Sequence, residues 1–110
     1  MNKSTQANNG NDRRSVSAGR VPLFPLGQTV ATPGALALLD RAAANASTLL
    51  TRHQTGDFGD IDEADRVANA NAIRHGARIL SAYVLGRGAR IWIITEADRS
   101  VTTLLLPEEY

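Results

Sequence analysis

Ile79-Leu80-Ser81-Ala82-Tyr83-Val84-Leu85, then Gly86-Arg87-Gly88, then Ile91-Trp92-Ile93-Ile94-Thr95 is the stretch that decides the fold. Two runs rich in β-branched and aromatic residues flank a glycine-bounded break, the pattern of a β-hairpin. Ala97-Asp98-Arg99-Ser100 supplies a second turn. Val101-Thr102-Thr103-Leu104-Leu105-Leu106 then makes a third strand, which Pro107 terminates. Setting Leu85 opposite Ala89 places Tyr83 against Ile91, Ser81 against Ile93 and Arg78 against Glu96. The last pair is of opposite charge, which favours this register. A slip of one residue would turn every side chain to the other face.

The residues before this meander have helical character. Thr32-Pro33 reads as an N-cap followed by proline at the first helical position, and Leu36, Leu38 and Leu39 carry the helix to about Ala44. Asn45 interrupts it, and a short second helix carries Leu49 and Leu50 before Gly56. A third, capped by Asp60 or Asp62, runs through Val67 and Asn71 to His75 and stops at Gly76. Val21-Pro22-Leu23-Phe24-Pro25-Leu26-Gly27 cannot be helical, yet holds three large apolar residues, so it predicts an extended segment laid across the domain. Helices followed by strands mean α+β: two or three N-terminal helices packed on a C-terminal three-stranded antiparallel β-meander. Leu36, Leu80, Ile91, Trp92, Ile93 and Leu104 are the expected core.

Composition bounds the rest. The chain of 110 residues suits one domain, and a hydrophobic share of 43% is that of ordinary globular proteins. Residues 1–20 hold four Asn and three Ser and have little to bury, so they read as a disordered tail, leaving 21–110 as a single α+β domain. The tail carries a net charge of +3 and the body −2, within an overall +1. This balance argues against a surface built to coat nucleic acid. No apolar run approaches the roughly 18–20 residues of a membrane span, and the first 20 residues have no secretory core. The absence of cysteine rules out disulfides, thiolate catalysis and cysteine-ligated zinc. A cytoplasmic protein with no cofactor, no metal and no membrane partner is expected.

Three places carry candidate chemistry. His53-Gln54-Thr55-Gly56-Asp57-Phe58-Gly59-Asp60 offers Asp57 and Asp60, with Asp62, Glu63 and Asp65 nearby, as a binding loop or a set of oxygen ligands, although helix capping explains most of these acids. His53 and His75 are the possible acid–base groups, although each falls at a helix C-terminus, where an imidazolium is stabilised on structural grounds alone. Thr95-Glu96-Ala97-Asp98-Arg99-Ser100 could bind an anion or abstract a proton through Glu96, Asp98 and Arg99. Asp98 and Ser100 also suit a turn, but Arg99 is not needed for one. Trp92 and Tyr83 have aliphatic neighbours, which favours packing over a nucleic-acid platform.

From Leu23 to Tyr110 the chain resembles small proteins encoded on plasmids and integrative elements, labelled plasmid-related proteins and sometimes type I restriction endonuclease subunits. Leu23–Gln28, Ala31–Leu36, His53 with Gly56–Asp60, Asn71, Arg78–Tyr83, Ile94–Ser100 and Thr102–Tyr110 carry the resemblance. Phe58 stands where that group often has tryptophan. The resemblance implies an accessory protein of a mobile element, with host defence as one setting, acting on a protein or nucleic-acid partner. The order of elements is also similar to the barnase–colicin–RelE ribonucleases, which need no metal. In that alternative His53, Arg78, Glu96 and Arg99 would be catalytic, with Arg78 matching an active-site arginine at the start of a strand. That class carries its acid histidine in the last turn, where this sequence has Glu96, Asp98 and Arg99, and its general-base glutamate has no clear counterpart here.

Overall fold

A computed structural model describes residues 21–110, so the expectation of a disordered tail over residues 1–20 lies outside the described residues. The chain runs β1 (Gln28–Ala31), α1 (Pro33–Arg41), α2 (Ala46–Gln54), α3 (Glu63–His75), β2 (Ile79–Val84), β3 (Arg90–Thr95) and β4 (Val101–Leu105). Single 3-10 turns at Gly86–Gly88 and Pro107–Glu109 close the first hairpin and the C-terminus. Each helix begins as its cap residue dictates. Thr32 accepts from the Ala35 amide, Asn45 from Thr48 and Asp62 from Asp65. Gly76, with φ +76°, ends α3 in the left-handed conformation that a glycine adopts at little cost.

The α+β class holds, and the expected three-stranded meander needs correction. The sheet has four strands in the order β1-β4-β3-β2 and is mixed, because β1 pairs in parallel with β4. The hairpin register follows the sequence: Tyr83 opposes Ile91, Ser81 opposes Ile93, and the Leu85 amide donates to the Ala89 carbonyl at 2.7 Å. β1 escapes the hydrophobic pattern because it is a short edge strand. Its Gln28, Thr29 and Val30 are exposed, so no buried face demands alternation.

Paired residues share a face. Ile79, Ser81, Tyr83, Ile91, Ile93, Thr95, Thr102 and Leu104 lie on one side, all buried. Ala35, Leu38 and Leu39 of α1 and Leu49 of α2 close over the Tyr83–Leu104 half, while Phe24, Phe58 and Ala72 of α3 close over Ile79. Burying such a set is the main favourable term in the fold, at roughly 1.5–3 kcal/mol per large apolar side chain. On the other face Ala82, Ile94 and Leu105 are buried, while larger side chains beside them are only partly covered. Tyr110 packs edge-on against Trp92, with ring centroids 5.5 Å apart, so Trp92 and Leu80 are half-buried rather than core. Leu36 is the clearest miss. It is 56% exposed, because α1 turns Ala35, Leu38 and Leu39 to the sheet and Leu36 away from it.

The outer edge of β2 is sealed. Asn69 on α3 donates through Nδ2 to the Leu80 carbonyl at 2.7 Å and accepts from the Leu80 amide at 3.1 Å, as a neighbouring strand's peptide would. The Ala82 amide then donates to the Phe58 carbonyl, and the Ala82 carbonyl accepts from the Asp60 amide. No helix among the described residues is long and apolar enough to cross a membrane.

Candidate functional site

Of the residues that sequence reasoning marked as chemistry-bearing, His53 lies inside the protein and the others lie apart from it. His53, in the last turn of α2, is fully buried between Phe24 and Phe58, both in edge-on ring contact with it. Its Nδ1 lies 2.6 Å from Ser81 Oγ and its Nε2 2.9 Å from Thr95 Oγ1. Thr95 Oγ1 lies 2.7 Å from Thr102 Oγ1, and Thr102 donates to the Leu26 carbonyl at 2.7 Å. A carbonyl can only accept, and this fixes every proton in the chain. Thr102 spends its hydrogen on Leu26, so Thr95 must donate to Thr102 and accept from His53. Nε2 therefore carries the imidazole proton, and Nδ1 accepts from Ser81. Burial drives the His53 pKa down to about 4, so the ring is neutral near pH 7.

The sequence offered His53 as a possible acid–base group, and the structure places it in the core. Both ring nitrogens are bonded to hydroxyls within the core, and no solvent reaches them. A general acid or base needs a nitrogen facing the substrate. The expected helix-end imidazolium is equally absent, since desolvation outweighs the helix dipole. His75, at the end of α3, is by contrast exposed.

Arg99 is held by backbone carbonyls. Its Nη2 donates to the Ala72 carbonyl in the last turn of α3 at 2.8 Å. Nη1 points at the carbonyls of Ala77, Glu96 and Ala97 at 2.7, 3.0 and 3.1 Å. The guanidinium thus ties the β3–β4 turn to the end of α3, while its face lies 5.7 Å from the Phe24 ring centroid. Arg99 has φ +62°, a left-handed backbone that is uncommon for a non-glycine residue. Asp98 accepts from the Ser100 amide and hydroxyl, and these bonds hold its carboxyl below the usual range. The turn reading therefore accounts for Asp98, and an anchoring role accounts for Arg99.

The remaining predicted residues do not converge with these. Asp57 pairs with Arg52 at 2.7 Å and accepts from the Gly59 amide, which shapes the Gly56–Asp60 loop. The loop is further pinned where Tyr83 donates to the Asp57 carbonyl at 2.7 Å. Asp60 pairs with Arg90 at 2.9 Å. Arg78 lies 5.2 Å from the Tyr110 ring centroid, on the side of the sheet that carries Trp92, and Glu96 is exposed at the β3–β4 turn. Among the described residues no three histidine or carboxylate side chains gather closely enough to hold a metal ion.

What the surface does offer lies elsewhere. An open groove of about 660 Å³ runs between the end of α1 and the β2–β3 loop, lined by Leu38, Arg41, Ala42, Gly86, Arg87 and Ala89. A shallower one of about 330 Å³ shares Leu38, Arg41 and Ala89 and continues past Arg90 to Pro107 and Glu108. Sequence reasoning missed this groove, since Gly86-Arg87-Gly88 reads as a turn and Arg41 as an ordinary helix-end cation. Arg87 holds a left-handed backbone at φ +64°, which no residue type in the sequence announces. No family model, curated protein or solved structure matches the chain.

Proposed function

We propose that this chain is a small accessory protein of a plasmid or other mobile element that acts by binding a macromolecular partner. One observation carries the reading. The strongest acid–base candidate, His53, and the strongest anion-stabilising candidate, Arg99, are both consumed by internal hydrogen bonds. Hydrolysis of a phosphodiester needs a base, an acid and an anion stabiliser around one phosphorus atom. The side chains nominated for those roles are instead distributed between the core, the β3–β4 turn and the Tyr110 side of the sheet. The resemblance to plasmid-related proteins agrees with a binding role. Its motifs, from Leu23–Gln28 to Ile94–Ser100, supply Phe24, Leu26, His53, Phe58, Ser81, Thr95, Arg99 and Thr102, the parts of the buried assembly.

The reading is tested by offering RNA to the purified full chain without metal, alongside affinity capture from the native host with protein and nucleic acid both identified. No turnover and a stoichiometric companion are expected. Glu96→Ala, at an exposed position, leaves the fold intact and separates the two functions. Metal-free RNA cleavage that falls about 100- to 10,000-fold in Glu96→Ala would establish the ribonuclease instead.

A further inference from the structure

We infer that the groove between α1 and the β2–β3 loop receives an extended acidic segment of a partner protein, with one apolar side chain on the groove floor. The inference rests on the binding role proposed above and names the chemistry of the partner. The floor is aliphatic, made by Leu38, Ala42 and Ala89, and it opens directly onto the core cluster that Leu38 shares with Ile91. Arg41 and Arg87 both line it, one from the last turn of α1 and one from the tip of the hairpin. Both are exposed, and among the described residues neither has a hydrogen-bond or ion-pair partner. The other arginines with defined partners hold carboxylates, carbonyls or aromatic rings, so these two cations are the ones left uncommitted at a concave surface. At φ +64° Arg87 holds a left-handed backbone that a glycine at the same turn position would adopt without strain. That conformation places a guanidinium at the aliphatic hollow.

Guanidinium forks match carboxylates in a bidentate geometry, and their planar faces tolerate desolvation better than an ammonium does. Two forks beside an aliphatic floor complement a segment with acids on either side of a leucine-like residue. A nucleic acid fits less well. Single strands need aromatic faces to stack on, and no aromatic residue lines this groove.

The test is selection of phage-displayed random dodecapeptides on the full chain, followed by titration of the enriched peptide in synthetic form. Enriched sequences should carry acids flanking Leu, Ile, Met or Phe. Binding should weaken about tenfold in Arg41→Glu or Arg87→Glu and further in the double variant, with the chain still folded and only a small fall in thermal midpoint from the acid at the end of α1. Charge reversal in the peptide should restore affinity for the double variant. Selection without acidic sequences, an acidic peptide that binds the double variant unaltered, or displacement by single-stranded RNA would overturn the assignment. Sedimentation showing that the groove is filled by a second copy of the chain would also overturn it. The two proposals fail separately: a companion captured from the host that still binds the double variant removes the groove and keeps the binding role, whereas RNA turnover removes the binding role itself.

Discussion

A single buried histidine, His53, has both ring nitrogens bonded to hydroxyls of the sheet. His53, Ser81, Thr95 and Thr102 come from four separate stretches, and their hydroxyls and ring nitrogens form one directional chain ending on the Leu26 carbonyl. A polar group in a core costs free energy unless it is paired, and each member here satisfies the next. Sequence alone could mark these residues as unusual, since Ser and Thr punctuate otherwise aliphatic strands and histidine occurs only twice. It could not show that they face one another, because that follows from α2 crossing a particular face of the sheet. Thr102→Val tests the chain at its end. The substitution is nearly isosteric, but it strands the Leu26 carbonyl and removes the acceptor of Thr95. Unfolding in urea should show a loss of about 1–3 kcal/mol, with the midpoint lowered and the denaturant slope unchanged. A loss below about 0.5 kcal/mol would mean that the network contributes nothing beyond packing.

Elements were legible where local chemistry determines them, and illegible where only tertiary contacts do. Thr32-Pro33, Asp62 and Gly76 bound their helices as cap and stop residues should. The β2–β3 register emerged from the sequence because a one-residue slip would expose Tyr83, Ile91 and Ile93 together. β1 was lost because it is four residues long, exposed, and paired in parallel with a strand more than seventy residues away. Arg99 misled for a related reason: its partners Ala72 and Ala77 are backbone carbonyls on another element, and no side-chain pattern announces them. Asn69 went unnoticed in a helix that also holds Asn71, yet it alone is buried and seals the β2 edge. Asn69→Ala should cost about 1–3 kcal/mol, since both Leu80 backbone groups lose their partner. The Leu80 amide should then exchange with solvent faster while Ile93 and Ile94 keep their protection. Unchanged Leu80 exchange would show that the edge is held by packing alone. An unsealed edge also offers a pairing template, so the variant should aggregate at lower concentration.

For the molecule as a whole, two buried titratable groups set the pH range in which the fold is most stable. His53 has its pKa pushed down by burial to about 4, against an ordinary value of 6.5. Below about pH 6.5 the unfolded chain takes up a proton at this site and the folded chain does not, so stability falls with pH until about pH 4. A difference of about 2.5 pKa units corresponds to on the order of 3 kcal/mol, a large part of the roughly 5–15 kcal/mol typical of a domain. Asp98 and Glu109, held below the usual carboxyl range by hydrogen bonds, act in the same direction at still lower pH. At the alkaline end the buried Tyr83 hydroxyl, bonded to the Asp57 carbonyl, is pushed up to about 12. Above about pH 10 the unfolded tyrosine ionises while the folded one stays neutral, so stability falls again. The expected profile is a plateau from about pH 6.5 to 10 with a loss on each side. Urea unfolding followed by Trp92 fluorescence at a series of pH values checks it, with NMR titration of the His53 ring identifying the acid limb. A His53 imidazole that protonates near 6.5 without loss of structure would contradict the closed hydroxyl chain, because a second ring proton would have to face the Ser81 hydroxyl, which would then have to reverse its own. The acid limb therefore reports on the same geometry that closes both His53 nitrogens off from solvent.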